Sequence, residues 1–273
     1  MIQTNPVVSW GPHRLWTWGP GLDNVSSYVK HHADGLRLPR GARITDDAQN
    51  AFPNLRLLVL EDKAGISEDQ LYALSELREL SITDFPKRID ISAFPKLERL
   101  SLRWRTGVVE NAAESDLSEL RIWNFSSSSG DLSSLPDFRM LRCLKLVDAK
   151  IESIAGLSRY NSLEEFELYG AKKLRSLEGL QLKKLSLFSA EKCPALVDVD
   201  GLVSCQPLTV VRFHECGDLP SLRFVKSLPK LKSIGFIGTS IIDGDLEPLL
   251  GIPDVCFTDR KHYSRRSREF ESG

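Results

Sequence analysis

The sequence lacks the features that define several large classes of protein. Its formal net charge is −1 over 273 residues, so no general attraction to nucleic acid or to an anionic membrane is expected. No apolar run approaches the ~18 residues that a membrane-spanning helix needs. The amino end, MIQTNPVVSW, has no basic segment followed by a long apolar one, so no secretory signal is predicted and we expect a cytoplasmic protein.

The cysteine spacing and the absence of catalytic motifs exclude further classes of protein. The five cysteines are Cys143, Cys193, Cys205, Cys216 and Cys256, and no two form a CxxC pair. Because their number is odd, at least one is unpaired, and we expect free thiols in a reducing compartment. The cysteines and histidines show no metal-ligand spacing, so no metal site is expected. HExxH, GxSxG and P-loop patterns are also missing, so the sequence predicts neither an enzyme nor a cofactor.

What the sequence does contain is an internal repeat. The frame LxxLxL, in which L is any bulky apolar residue, begins at residues 55, 77, 97, 117, 141, 163, 182, 208 and 231, more weakly at 252, and in degenerate form at 33. Apolar and polar residues alternate over the end of each copy, which predicts a short strand. A copy of ~22 residues cannot bury its own apolar edge, so the strands should stack in parallel. The predicted strands span residues 57–60, 79–82, 99–102, 119–122, 143–146, 165–168, 184–187, 210–213 and 233–236.

This frame resembles the leucine-rich repeat family, whose period is ~20 to 29 residues. The resemblance covers residues 33 to 257 and implies an α/β fold, a right-handed curved solenoid with a parallel sheet on its concave face. Short turns or helices are then expected on the convex face. The stretch SEDQ, from Ser67 to Gln70, is a capping-box match that predicts one helix there, and glycine-punctuated returns elsewhere predict tight or 3₁₀ turns.

One departure from the family pattern concerns the ninth position of each copy, where asparagine is expected. Phe125, Ala149 and Cys216 are among the residues found there instead. The side-chain ladder that usually satisfies the turn amides should therefore be absent, and backbone groups or water must replace it.

The segments outside the repeats receive separate predictions. Residues 1–32 carry Trp10, Trp16 and Trp18 between glycine-proline turns and are predicted to cap the first repeat, with recognition as the alternative. Residues 258–273 form a basic tail, predicted to be a solvated terminus rather than a nucleic-acid arm. This end of the chain resembles bacterial cytoplasmic leucine-rich repeat proteins, some of which are presumed to be immunity proteins against toxins.

The repeat register also predicts an exposed aromatic track on the concave face. Trp123, Tyr169, Phe188 and His214 follow the last apolar position of their copies, and the basic residues beside them are Arg99, Arg103, Arg121, Lys145 and Arg212. Trp104 fits either this track or a turn. Aromatic residues and arginine dominate the energy of protein interfaces, although the same rings could instead form cross-strand pairs that only stabilise the sheet.

These patterns predict a non-enzymatic scaffold that binds a protein partner on its concave face. In its most specific form the partner is a bacterial toxin, and the chain is an immunity or inhibitor protein that occludes it. The alternative is a nucleic-acid or glycan binder in which the aromatic rings stack on bases or sugars and the arginines meet phosphate or hydroxyl groups.

Overall fold

The computed structural model describes residues 7–10, 12–19, 24–44, 52, 54–83 and 88–270. The chain divides into two compact units. Unit 1 comprises residues 1–103, 107–120 and 138–140, and unit 2 comprises residues 104–106, 121–137 and 141–273. No helix within the described ranges is long and apolar enough to cross a membrane.

Unit 1 consists of short parallel strands joined by compact returns. Its main strands are β1 (Val7–Trp10), β2 (His13–Thr17), β3 (Gly35–Leu38), β4 (Leu57–Leu60) and β5 (Glu79–Ile82), followed by β6 (Ile89–Asp90), β7 (Arg99–Arg103) and β8 (Val109–Glu110). Strands β2, β3, β4, β5 and β7 pair in parallel in that order, while β1 pairs antiparallel with β2. Strands β6 and β8 form a separate parallel pair.

The returns of unit 1 contain its helices. Helix α1 spans Asn24–Lys30, helix α2 spans Glu68–Tyr72, and single 3₁₀ turns span Ile91–Ala93 and Ala112–Glu114. Ser67 caps α2: its hydroxyl accepts from the Gln70 N–H, and the Gln70 side chain accepts from the Ser67 N–H. The predicted capping box is therefore confirmed, and it satisfies two amides that helix geometry leaves unpaired.

Strand β2 lies within the segment predicted to cap the repeats. Trp16 pairs with Leu36 of β3, is 2% exposed and stacks on His31 at 5.6 Å between ring centroids. His13 is also buried, with Nδ1 2.8 Å from Asp34 Oδ2 and Nε2 3.1 Å from Glu79 Oε1. The amino-terminal segment thus extends the sheet of unit 1 and ties it to β5 through a buried imidazole.

Unit 2 continues the same construction. Strand β9 (Glu119–Trp123) contributes its last three residues to this unit, followed by β10 (Cys143–Val147), β11 (Glu165–Tyr169), β12 (Leu187–Glu191), β13 (Val210–His214), β14 (Ser233–Phe236) and β15 (Asp254–Phe257). The pairs from β10 to β15 are all parallel. The 3₁₀ turns span Leu157–Arg159, Asp200–Ser204, Arg223–Ser227, Glu247–Leu249 and Ser267–Glu269, as the glycine-punctuated returns predict.

Eight of the nine predicted strands are confirmed to within one residue at either end, but the strand predicted at 184–187 is wrong. The observed strand is Leu187–Glu191, in which Phe188 pairs with Phe166 of β11 and Ala190 pairs with Leu168. The correct frame of this copy is therefore LSLFSA from Leu185, three residues later than the LKKLSL frame. Phe188 consequently points into the core.

A left-handed residue directly follows each strand from β9 to β13. The φ angles are positive at Asn124 (58°), Asp148 (52°), Gly170 (70°), Lys192 (53°) and Glu215 (51°). The N–H of each donates to a carbonyl of the next repeat: Asn124 to Val147 at 2.8 Å, Asp148 to Tyr169 at 2.7 Å, and the remaining three in the same pattern at 2.8 to 2.9 Å. We name this arrangement the strand-end lock.

The turn amides that follow these left-handed residues are satisfied mainly by backbone groups. The absence of asparagine at the ninth position of each copy predicts this. The N–H of Lys150 donates to the carbonyl of Phe125 at 2.7 Å, whereas the N–H of Cys216 donates to the hydroxyl of Thr239 at 2.9 Å. Phe125 is fully buried and Cys216 nearly so, so the ninth position here fills the core instead of bonding the turn.

The carboxyl-terminal segment is mostly exposed, but Tyr263 and Phe270 contact the last strand. Tyr263 is 5% exposed and lies against Phe257 of β15, with ring centroids 5.8 Å apart. Phe270 contacts Phe257 at the same centroid distance, and Arg265 pairs with Glu247 at 2.9 Å. Tyr263 and Phe270 therefore hold this segment against β15, and Arg265 holds it against the preceding 3₁₀ turn.

Candidate protein-binding face

The parallel register of unit 2 sets its outward side chains in three columns. Column A contains Cys143, Glu165, Leu187, Val210, Ser233 and Asp254; column B contains Arg121, Lys145, Glu167, Ser189, Arg212, Gly235 and Cys256; column C contains Trp123, Val147, Tyr169, Glu191, His214 and Ile237. We call this side of the sheet the open face. The alternate residues of the same strands, such as Leu144 and Leu146, are fully buried.

Two aromatic rings flank Val147 in column C. Trp123 is partly exposed and Tyr169 is 36% exposed. Beside them lies a pocket of about 330 Å³, whose lining includes Arg121, Lys145, Val147, Glu167, Tyr169 and Glu191. The lining combines the apolar groups of Val147 and Tyr169 with the charged groups of Arg121, Lys145, Glu167 and Glu191, a combination suited to an amphipathic ligand.

Each ring already has a cation beside it. The guanidinium carbon of Arg121 is 6.0 Å from the centroid of the Trp123 ring, and Lys192 Nζ is 4.9 Å from the centroid of Tyr169. Lys192 Nζ also donates to Tyr169 Oη at 2.7 Å, and this hydrogen bond raises the pKa of Lys192. Because cations occupy these rings, the open face is better suited to apolar or acidic groups than to a cationic ligand.

The open face carries charges of both signs. Lys145 Nζ pairs with Glu167 Oε1 at 2.6 Å, and both side chains are about one third exposed. The carboxylates on this face are Glu165, Glu167, Glu191 and Asp254, and the cations are Arg121, Lys145 and Arg212. The face is therefore not a basic surface of the kind that tracks a phosphate backbone.

Cys143, Glu165 and Glu167 place one thiol and two carboxylates within 4.8 Å of one another. Since Lys145 already neutralises Glu167, we assign no metal to this group.

The structure brings together six of the nine residues predicted for the binding track. Trp123, Tyr169, His214, Arg121, Lys145 and Arg212 all lie on the open face of unit 2. Phe188 does not: it is 0% exposed and packs between Phe166 and Phe213, at centroid distances of 6.0 and 5.8 Å. The prediction that Phe188 contacts a partner is wrong, because the frame of its copy begins at Leu185 and not at Leu182.

The remaining two predicted residues, Arg99 and Arg103, lie in unit 1. Arg99 Nε donates to Glu79 Oε1 at 2.6 Å, so its charge is already paired. Arg103 is exposed at the end of β7. Neither residue is part of the open face of unit 2.

Trp104 belongs to a turn. It is 8% exposed, its ring lies 4.6 Å from that of Phe125, and Nε1 donates to the Ser126 carbonyl at 2.8 Å. Its role is therefore structural.

Sequence reasoning missed two residues of the open face. Glu191 occupies the column C position predicted for Phe188, and Leu187 lies in column A beside Val210, which the register predicts to face outward. The repeat spacing was the signal that could have found Glu191 and Leu187. Starting the copy at 185 makes the neighbouring intervals 22 and 23 residues, whereas starting at 182 makes them 19 and 26.

Comparison with known proteins supports the fold. No family model matches the sequence. An internalin, InlF, from Listeria monocytogenes is similar in structure, with 18% identity and a TM-score of 0.56 over 83% of this chain and 70% of that one. The functional domain of InlJ from the same species, described as including a cysteine ladder, has 16% identity and a TM-score of 0.52 over 81% of this chain and 48% of that one. Together with the repeat frame and the parallel pairing, these likenesses show a leucine-rich repeat fold.

Proposed function

We propose that the chain is a non-enzymatic scaffold whose open face in unit 2 binds a protein partner. The observation that carries this proposal is the placement of Trp123, Val147 and Tyr169 beside a pocket of about 330 Å³. Partly exposed aromatic rings beside unpaired arginine are the groups that contribute most to protein interfaces. In its most specific form, the partner is a bacterial toxin and binding occludes the toxin's working surface.

The charge pattern favours a protein over the nucleic-acid alternative. Glu165, Glu167 and Glu191 lie among the basic residues of the same columns, and a phosphate backbone following the sheet would meet each of them. A folded protein surface can instead place opposite charges against both signs, which selects the partner and guides its approach.

The test begins with the intact chain as bait in its native cell and continues with titrations of the captured protein. We expect Trp123→Ala to weaken binding by at least 10-fold, corresponding to ~1.4 kcal/mol, with little change in thermal midpoint because no core side chain is removed. Tyr169→Ala should behave alike. Ile242→Ala is the matched control, since Ile242 is 63% exposed and lies outside the three columns.

Salt dependence separates the two classes of partner. Affinity that falls by orders of magnitude between about 50 and 200 mM salt indicates phosphate contacts, whereas an aromatic protein contact changes little. Unchanged affinity in both Trp123→Ala and Tyr169→Ala would refute the proposed binding face.

A further inference from the structure

The ninth position of the repeat places two thiols in neighbouring copies of unit 2. With the frame of its copy beginning at Leu185, Cys193 occupies the ninth position, and Cys216 occupies it in the next copy. Both thiols are free and buried, at 0% and 8% exposed. Two other copies of unit 2 carry alanine there, namely Ala149 and Ala171, so the fold does not require sulfur at this position.

Equivalent backbone turns lead from the two strands to the two cysteines. Glu191 at the end of β12 pairs in register with His214 at the end of β13. The next residues, Lys192 and Glu215, are both left-handed, with φ angles of 53° and 51°. A cysteine follows each of them, so the register of the strands extends to the cysteines.

This register sets a separation that a disulfide can span. The N–H of Gly217 donates to the carbonyl of Cys193 at 3.3 Å and holds the second turn against the first. Neighbouring strands lie ~4.8 Å apart, so the two cysteine Cα atoms are separated by about the same distance. Disulfides join Cα atoms that are ~4.4 to 6.8 Å apart. The backbone therefore needs no large movement to accept a cross-link.

The two sulfurs lie together at the carboxyl end of β12. Cys193 Sγ is 3.3 Å from the carbonyl oxygen of Glu191, and Cys216 Sγ is 3.4 Å from that of Ala190. The two thiols also form a hydrogen bond with each other, which lowers the pKa of Cys193 and raises the pKa of Cys216. Cys193 therefore has the greater thiolate character, and the thiolate is the form that oxidants attack.

The pair lies one residue beneath the protein surface. Lys192 and Glu215, which precede the cysteines, are both exposed. A local opening of these two turns is therefore enough to admit an oxidant as small as hydrogen peroxide.

We propose that Cys193 and Cys216 are an oxidation-sensitive dithiol, which peroxide converts in the folded protein to a disulfide joining the ends of β12 and β13. The Cys193 thiolate attacks one peroxide oxygen, the O–O bond breaks, and a sulfenic acid and one water result. The Cys216 sulfur then attacks the sulfenic sulfur: the S–S bond forms, the S–O bond breaks, and the thiol proton leaves with the hydroxide as a second water. Two thiols are oxidised by two electrons, and one peroxide is reduced to two waters.

The disulfide has a measurable effect on stability. It closes a loop of 24 residues, from Cys193 to Cys216, and so restricts the unfolded chain. The thermal midpoint should rise by about 5 to 10 °C.

The test treats the intact, reduced protein with hydrogen peroxide and blocks the remaining thiols with iodoacetamide after denaturation. Tryptic mass spectrometry should find peptide 193–212 joined to peptide 213–223, with the loss of two hydrogens. Fragmentation of the joined peptides should place the cross-link at Cys193 and Cys216. The thermal midpoint is measured on the monomeric fraction, and dithiothreitol should reverse both changes.

Matched variants identify the sulfurs responsible. Cys193→Ala and Cys216→Ala should lose the cross-link and the rise in thermal midpoint, and both should fold because alanine occupies this position in two other copies. Cys205→Ser is the control. Cys205 is equally buried and shares a tryptic peptide with Cys193, but it ends a 3₁₀ turn instead of following a strand. This variant should keep both changes.

Three results would overturn the proposal. The first is no cross-link under conditions that oxidise Cys256, which is exposed. The second is a cross-link that uses Cys205 or that forms only in urea. The third is a cross-link between Cys193 and Cys216 that lowers the thermal midpoint, because the folded turns would then not accommodate the disulfide. The proposed binding face is independent of all three results.

Discussion

Replacing Phe188 by alanine is the sharpest test of the repeat register in unit 2. The ring is fully buried and lies between Phe166 and Phe213, at centroid distances of 6.0 and 5.8 Å. A buried Phe→Ala change costs ~3 to 5 kcal/mol, because it removes apolar burial and leaves a cavity. At ~2 to 4 °C per kcal/mol for a unit of this size, the thermal midpoint should fall by about 6 to 20 °C.

The assay is urea unfolding followed by far-ultraviolet circular dichroism, with Tyr169→Ala as the control on the neighbouring strand. Tyr169 lies in column C, so its truncation should cost less than ~1 kcal/mol. The frame beginning at Leu182 would place Phe188 in that column instead and would predict equal, small losses for both variants. A loss below ~1 kcal/mol for Phe188→Ala would therefore refute the register described here.

The remaining predictions concern the buried core and the loss of stability at acid pH. Leu120→Ala should lower the free energy of unfolding in urea by ~2 to 5 kcal/mol, because Leu120 is 2% exposed. Arg121→Ala should lower it by about 0.5 kcal/mol or less, because Arg121 is exposed. Equal losses would contradict the assignment of Leu120 to the core and Arg121 to the surface. Desolvation raises the pKa of Asp34, but hydrogen bonds from His13 and the Arg14 N–H outweigh it and lower the pKa overall. This contribution is complete above the ordinary aspartate pKa of ~3.9 and is lost as pH falls through the lowered value, so urea midpoints of Asp34→Asn should fall less steeply below about pH 4 than those of the wild type.

The sequence predicted most of the fold because one frame recurs with little change. Because the frame residues must be buried, each copy forms a strand. Strands of similar length that recur at similar spacing then pair in parallel. The frame failed where two alternatives overlapped: LKKLSL contains three leucines, whereas LSLFSA ends in Ala190, a small residue that a search for bulky side chains passes over. Spacing, not side-chain size, identifies the correct copy.

Two further features could not be predicted from the frame. His13 occupies the first frame position of β2, and only the tertiary structure shows its two ring nitrogens within hydrogen-bond distance of Asp34 and Glu79. The tail at 258–270 reads as charged, yet Tyr263 and Phe270 are spaced so that both rings reach Phe257. In both cases a few long-range contacts override local composition.

For the open face, the sequence identified six of its residues and missed Leu187 and Glu191. Trp123 and Tyr169 were found because their frames are unambiguous. Leu187 is the last position of the frame that begins at Leu182, which predicts it to be buried, whereas the structure places it on the open face. One misplaced copy is therefore enough to conceal both residues.

The strand-end lock has a consequence for the thermodynamics of recognition. The carbonyl of Val147 accepts a hydrogen bond from the N–H of Asn124, and the carbonyl of Tyr169 accepts one from the N–H of Asp148. The main chain beneath column C is therefore already ordered before any ligand arrives. Association then loses mainly side-chain rotamer freedom, at ~0.5 to 1.5 kcal/mol per immobilised side chain, and no loop has to be frozen. The lock uses only backbone N–H and carbonyl groups, so side chains of column C can be exchanged without altering it. Side chains of the proposed binding face can therefore be substituted at Trp123 or Tyr169 without altering the backbone hydrogen bonds of the strand-end lock.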